Sequence, residues 1–121
     1  MKKNIVLIGA GLMGYGIAKN LLLKKFNLKV ISHKNRKPID KLIKLGAVEF
    51  KNYDDLLNDI DCLFICVTNT QIAIEIAETI ITKLDKQILI IDITTHNKNG
   101  SIKMEKIFNR RSIRYVESPV M

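Results

Sequence analysis

The sequence of 121 residues has no tryptophan, 6% aromatic residues, two prolines and two cysteines. Few aromatic side chains and scattered lysines exclude a stacking platform for single-stranded nucleic acid. Apolar runs such as residues 88–91 fall far short of the roughly 20 residues that a membrane helix needs. The apolar segment before Gly9 is likewise too short for a secretion signal. We therefore expect a cytoplasmic protein that binds neither membranes nor nucleic acid.

The two cysteines, Cys62 and Cys66, share the apolar run 62–67, which is typical of a buried strand. In a strand they would lie on one face, about 13 Å apart at about 3.3 Å per residue. That distance excludes a disulfide between them. We expect both to be small buried hydrophobes, which fits a reducing, cytosolic compartment.

The net charge is +8, with a pI near 9.6. A basic surface attracts polyanions, and the anion could equally be the phosphate of a dinucleotide or a nucleic acid. The simpler interpretation is a solvated, lysine-rich surface, because no dense basic tract is present.

Apolar segments of strand and helix type alternate along the whole chain. The predicted strands are residues 5–8, 28–31, 47–50, 62–67, 88–91 and 113–117. The predicted helices are residues 12–25, 38–45, 53–58 and 97–110, with a further helix that includes residues 72–81. This alternation predicts an α/β fold in one domain, residues 1–121, with a doubly wound parallel sheet of about six strands.

The sequence also predicts which residues lie at the ends of these helices and which form their apolar faces. Lys24 and Lys25 should occupy the favourable C-terminal end of the first helix. Asn69 or Thr70 should cap the fourth helix. Gly100 should weaken the start of the fifth. Apolar faces are predicted for the fourth helix (Ile72, Ala73, Ile76, Ala77, Ile80 and Ile81) and the fifth (Ile102, Met104 and Ile107).

A glycine-rich motif separates the first strand from the first helix. It consists of Gly9, Ala10, Gly11, Leu12, Met13 and Gly14. In this setting Gly9 permits a tight turn, Gly11 leaves room for a pyrophosphate and Gly14 lets the helix pack on the strand. Amides at the helix start attract phosphate. The motif predicts a Rossmann dinucleotide site; a glycine-rich turn without a ligand is the alternative.

The segment after the second strand bears on the choice of cofactor. It reads Ser32, His33, Lys34, Asn35, Arg36 and Lys37, without the acid that usually binds an adenosine ribose. A hydroxyl and several cations suit a 2′-phosphate. One charge-assisted bond, at about 1.5 to 3 kcal/mol, would favour NADP over NAD by about tenfold or more. We therefore predict NADP, with NAD possible; an exposed basic turn is the alternative.

Ligands of open parallel sheets bind beyond the carboxyl ends of the strands. Polar side chains follow the fourth predicted strand at Thr68 and Asn69, after Val67, and the fifth at Asp92, Thr94, Thr95 and His96. These side chains suit contacts with a ribose or a carboxamide, and they suit helix caps equally well. The residues alone leave both interpretations open.

Residues 9–21 resemble the β-hydroxyacid dehydrogenase family, which includes 3-hydroxyisobutyrate and 6-phosphogluconate dehydrogenases. Further matches are Leu45-Gly46-Ala47, Val67-Thr68-Asn69, Asp92-Ile93-Thr94-Thr95 and Glu117-Ser118-Pro119-Val120. The resemblance implies the NADP- or NAD-binding domain of an oxidoreductase that acts on a small β-hydroxyacid or a related carbonyl compound. It places cofactor contacts at residues 9–14, at Val67, Thr68 and Asn69, and at Thr95. Imine reductases resemble the same family.

The chain also departs from that family. Thr68 replaces a usual proline, and Met121 stands where many members have a substrate-binding serine. The family's catalytic lysine and asparagine, and its helical second domain, would lie beyond Met121. His96 is the only histidine near the expected site, and we expect it to be a cap or a surface residue.

We thus expect the cofactor-binding half of an enzyme, either truncated or a naturally short gene product. It should have no catalytic or metal-binding residues and little catalytic turnover alone. A substrate would bind only if a second domain is present, and the oligomeric state stays open. The alternative is a non-catalytic dinucleotide sensor, against which Ser32 in the acid position argues.

Overall fold

Six parallel strands form one sheet in the order β3-β2-β1-β4-β5-β6. The computed structural model describes residues 3–9, 12–32 and 34–118. The strands are β1 (Asn4–Ile8), β2 (Asn27–Ile31), β3 (Val48–Phe50), β4 (Cys62–Ile65), β5 (Leu89–Asp92) and β6 (Arg114–Glu117). The helices are α1 (Leu12–Leu23), α2 (Arg36–Lys44), α3 (Tyr53–Leu56), α4 (Thr70–Ile80) and α5 (Lys98–Asn109), with a 3₁₀ turn at Ile81–Lys83. This order confirms the predicted doubly wound α/β fold.

The strand order reverses direction at β1, and this reversal creates the crevice at which such sheets bind ligands. The chain runs outward from β1 through β2 to β3, then returns to place β4 on the other side of β1. In this arrangement Leu7 is paired with Val30 on one side and with Phe64 on the other. The loops after β1 and β4 therefore leave the sheet side by side.

Two hydrophobic cores cover the two faces of the sheet. Val6 and Ile8 belong to the core that includes buried residues of α4 and α5, whereas Ile5 and Leu7 belong to the core with α2. Successive strand residues point to opposite faces, so β1 is buried on both sides. A strand in this position needs an all-apolar sequence, as residues 5–8 have.

Asparagine side chains begin four of the helices. Asn35, Asn52, Asn69 and Asn97 each accept a hydrogen bond from a backbone amide in the first turn of α2, α3, α4 and α5 respectively. Such caps satisfy amides that have no partner within the helix. The prediction for α4 is thereby resolved in favour of Asn69.

Helix α1 ends at Leu23, two residues earlier than predicted. Lys25 has a φ of 65°, and the amides of Lys25 and Phe26 bond to the carbonyls of Leu22 and Leu21 at 2.9 and 3.1 Å. This pair of bonds is the Schellman arrangement, with lysine where glycine is usual. The predicted helix was therefore two residues too long, and Lys24 and Lys25 lie just beyond its last turn, at its C-terminal end.

The apolar faces of α4 and α5 differ in part from those predicted. Ile72 and Ile102 are 38% and 41% exposed. The buried residues are Ala73, Ala77 and Ile80 in α4, and Gly100, Met104, Ile107 and Phe108 in α5. The small side chains of α4 allow the two helices to approach each other closely.

Gly100 marks this close approach. A Cβ atom at Gly100 would lie 2.7 Å from Cγ2 of Thr70. The glycine therefore permits the packing of α5 on the start of α4, a role that its low helix propensity did not indicate.

Cys62 and Cys66 are both free, and each is only partly buried, whereas the sequence predicted buried side chains. Strand β4 ends at Ile65, which leaves Cys66 just beyond it. Partial burial raises the pKa of both thiols. Within the described ranges, no helix is long and apolar enough to cross a membrane.

Two truncations in α5 test these assignments. Met104→Ala should lower the free energy of unfolding by about 2 to 5 kcal/mol, because Met104 is fully buried. Ile102→Ala, two residues away, should cost less than about 1 kcal/mol. Urea unfolding of both variants gives the comparison, and equal losses would contradict the observed orientation of the helix.

Candidate dinucleotide site

The turn after β1 passes very close to the end of β4. Gly9 has a φ of 99°, and a Cβ atom built on it would lie 1.9 Å from the carbonyl oxygen of Cys66. No other residue fits this position, because a side chain would collide with backbone and the positive φ disfavours it. The predicted role of Gly9 in a tight turn thus has a geometric basis.

Helix α1 begins directly beyond this turn, at Leu12 and Met13. At Gly14, a Cβ atom would lie 2.6 Å from the carbonyl oxygen of Gly9, so the helix packs on the end of β1. The first amides of a helix have no partner within it, and the helix dipole adds partial positive charge there. This arrangement fits a pyrophosphate. Ala10 and Gly11, also predicted to contact it, lie outside the described residues.

The basic segment after β2 is divided between a loop and a helix. Ser32 follows the strand, Lys34 is exposed in the loop, Asn35 caps α2, and Arg36 is the first helical residue. His33 lies outside the described residues. The structure therefore places the described members of this segment together at the carboxyl end of β2.

Glu49 of β3, which sequence reasoning missed, holds this segment. Its Oε2 accepts a hydrogen bond of 2.7 Å from Ser32 Oγ. Both of its carboxylate oxygens accept from Arg36, the bond to Oε1 being 3.0 Å long. Arg36 also donates to Asp40 at 3.0 Å.

These contacts keep the Glu49 carboxylate ionised. The hydrogen bonds from Arg36 and then Ser32 lower the pKa of Glu49 to about 2, and the pKa of Arg36 rises for the same reason. A negative charge is thus fixed where the sequence of the second strand indicated none. The signal that could have revealed it is the strand order, since β3 lies beside β2 in folds of this kind.

Asp92, at the end of β5, connects the loops that follow β4 and β5. Its side chain is fully buried. Oδ1 accepts from the amide of Thr94 at 2.9 Å, and Oδ2 accepts from His96 Nε2 at 2.7 Å and Tyr115 Oη at 2.6 Å. Burial, with the bond to Asp92, raises the pKa of Tyr115. The Asp92 carboxylate therefore holds the Thr94 amide and the side chains of His96 and Tyr115 in position.

Two further bonds carry this organisation to the loop after β4. Thr94 Oγ1 accepts from the amide of Val67 at 3.1 Å, and Thr70 Oγ1 is 2.7 Å from His96 Nδ1. The segments predicted to contact the cofactor are thus tied together. Thr68 and Thr95 are exposed beside this network, whereas Asn69 uses its side-chain oxygen to cap α4.

The expectation that His96 is a cap or a surface residue was wrong. Its side chain is fully buried, and both ring nitrogens are engaged, with Asp92 and Thr70. Asn97 is the cap. The imidazole is therefore a structural link between the end of β5 and the start of α4, with no free nitrogen to exchange a proton with a substrate.

A glycine turn, a helix N-terminus and a crevice at the reversal of strand order define a dinucleotide-binding Rossmann domain. More particularly, residues 4–121 match the family model of the NAD binding domain of 6-phosphogluconate dehydrogenase, and the chain belongs to this family. This finding confirms the resemblance carried by residues 9–21. No curated protein matches the sequence.

Solved structures of oxidoreductases share the fold. One is 3-hydroxyisobutyrate dehydrogenase from Mycobacterium tuberculosis with L-serine, at 14% identity and a TM-score of 0.91. The match covers 100% of this chain and 41% of the dehydrogenase chain. A variant imine reductase from Myxococcus stipitatus in complex with NAD+ has 21% identity and a TM-score of 0.90, covering 100% and 42%. The imine reductase of that organism with NADP+ has 20% identity and a TM-score of 0.87, covering 98% and 41%. This chain thus spans about two fifths of each.

Two glycines of the same helix provide a matched test of the close approach. Gly14→Ala should destabilise the fold by about 1 to 3 kcal/mol and weaken dinucleotide binding, because α1 must move away from β1. Gly16→Ala should be neutral or stabilise by up to about 1 kcal/mol, since nothing lies within 4 Å of its Cβ position. Thermal unfolding and cofactor titration measure both effects. A stable Gly14→Ala variant with unchanged binding would contradict the proposed packing.

Asp92 allows a test of the buried network. Asp92→Ala should lower the free energy of unfolding by at least about 3 kcal/mol, because it leaves buried donors of Thr94, His96 and Tyr115 unpaired. Asp85→Ala, the same change at an exposed carboxylate, should stay within about 1 kcal/mol. The two variants are compared by urea unfolding, and similar losses would show that the network contributes little.

Proposed function

We propose that this chain is the NADP(H)-binding domain of an oxidoreductase that transfers hydride to or from a small β-hydroxyacid or a related carbonyl compound. The observation that carries the proposal is the approach of Gly9 to the Cys66 carbonyl, a turn beside the start of α1 that only a residue without a side chain permits. Such a turn lets a diphosphate reach the helix amides. The 3-hydroxyisobutyrate dehydrogenase fold match supports the hydroxyacid class, and the imine reductase matches make an imine the nearest variant.

Each part of the cofactor has a place in the proposal. The pyrophosphate lies over Gly9, Ala10, Gly11 and the start of α1, up to Gly14. The adenosine ribose and its 2′-phosphate lie against the segment Ser32, His33, Lys34, Asn35 and Arg36. The nicotinamide lies beside Val67, Thr68, Asn69 and Thr95, which the Asp92 network holds in position.

The bound nicotinamide ring would supply or accept the hydride, whereas the proton must come from elsewhere. Hydride transfer to a carbonyl needs an acid near its oxygen, and both nitrogens of His96 are already engaged. We therefore propose that residues 1–121 act as one cofactor-binding domain, which by itself converts little or no substrate. Its catalytic acid and its substrate pocket would come from a second domain.

A non-catalytic dinucleotide sensor is the second candidate. The observation that favours it is Glu49, which supplies a carboxylate at the ribose end of the crevice. A sensor would couple NADH or NADPH binding to a change in association, which sedimentation of the chain with and without each dinucleotide would detect. An unchanged sedimentation coefficient would favour the oxidoreductase domain.

Titration calorimetry with NADPH and NADH tests the binding role and the cofactor preference together. NADPH should bind at least about tenfold more tightly, because the 2′-phosphate meets the cationic segment. Lys34 is exposed, and among the described residues it has no carboxylate partner. Lys34→Gln should therefore weaken the binding of NADPH and leave the binding of NADH unchanged. Equal affinities, or tighter NADH, would contradict the preference. No heat with either dinucleotide at millimolar concentration would overturn the binding role itself.

A further inference from the structure

The ribose end of the crevice contains an acid that comes from the neighbouring strand. In dinucleotide-binding folds an acid near the end of β2 accepts a hydrogen bond from the ribose 2′-hydroxyl and repels a 2′-phosphate. Here Ser32 stands in that position, and Glu49 of β3 lies directly against it. We propose that Glu49 performs this task and is the residue that limits selectivity for NADP over NAD. This inference rests on the proposed function.

The pairing of β2 with β3 fixes the position of Glu49. Val30 is paired with Glu49, and Ile31 with Phe50. The amide of Ser32 then donates to the Phe50 carbonyl at 2.8 Å, which holds the chain against β3 for one residue beyond the strand. The Ser32 hydroxyl therefore faces the carboxylate, and the Glu49 side chain keeps 21% of its surface exposed to solvent.

Arg36 is already committed to carboxylates in this arrangement. One guanidinium faces both Glu49 and Asp40, so a single positive charge meets two negative charges. Arg36 is thus a weaker partner for an incoming phosphate than the sequence predicted. The hydroxyl of Ser32 is likewise donated to Glu49 and is not free to donate to a phosphate oxygen.

The two forms of the cofactor would meet Glu49 differently. A ribose 2′-hydroxyl can donate a hydrogen bond to the carboxylate, and such charge-assisted bonds are stronger than neutral ones. A 2′-phosphate brings negative charge beside a fixed negative charge, which disfavours it. Exposed Lys34 attracts the phosphate, and Glu49 opposes that attraction. Selectivity is the difference between the two effects.

Glu49→Gln removes the charge and keeps the size of the side chain and an acceptor for Ser32. We expect the dissociation constant for NADPH to fall at least tenfold, with that for NADH unchanged or raised. The ratio of the two constants should shift at least tenfold towards NADPH. Each constant is measured by calorimetry or by the fluorescence of the reduced nicotinamide, at one fixed ionic strength.

Glu117→Gln is the matched control. Glu117 also accepts a hydrogen bond from a serine, Ser101, at 2.9 Å, but it lies on β6 at the opposite edge of the sheet. The two variants have the same net charge. The control should leave the NADPH to NADH ratio within about threefold of the wild type, because the two cofactors differ only at the ribose phosphate.

The outcomes separate this inference from the proposed function. Failure of the wild-type chain to bind either dinucleotide overturns both. Binding by the wild type, with a ratio in Glu49→Gln that stays within threefold, overturns the inference alone, as does an equal shift in Glu117→Gln. If Glu49→Gln does not fold, Glu49→Thr, an uncharged residue suited to an edge strand, replaces it under the same criteria.

Discussion

The close passage of the backbone at Gly9 across the end of β4 determines most of this structure. It requires a residue without a side chain, and it lies between β1 and α1 in the chain. Gly14 then brings the helix down on the same turn. The mouth of α1, the end of β1 and the end of β4 consequently converge within a few residues. A phosphate site at this convergence, as proposed above, would depend on backbone atoms.

A buried carboxylate has the corresponding role for the other half of the crevice. Asp92 holds Thr94, His96 and Tyr115, and through them it fixes the loop that follows β4. Burying a charge is costly unless several donors satisfy it, and here three donors do so. The loops that follow β4 and β5 are therefore held by one residue of the sheet, whereas Glu49 on the edge strand β3 holds the segment after β2.

The sequence predicts the fold well because uninterrupted apolar strands and a glycine motif are local signals. All six strands and five helices are found, with ends displaced by a few residues. The errors arise where a contact joins distant segments. Ile72 and Ile102 look like core residues in their own helices, yet the approach of α4 to α5 turns them outward. Glu49 lies 17 residues from Ser32, and only the pairing of β2 with β3 brings the two together. Among the predicted site residues, Ala10, Gly11 and His33 lie outside the described part of the chain.

The central position of β1 bears on the order in which the chain can assemble. Asn4 bonds to Asn27, 23 residues away, and to Asp61, 57 residues away. Parallel pairings across such separations form more slowly than helices or hairpins, since a long loop must close before any contact rewards it. The Gly9 turn has its supporting surface only after Cys66 has docked. Although its motif is confined to six consecutive residues, the phosphate site proposed for this turn would thus be a product of long-range folding, and a short peptide containing that motif would not possess it.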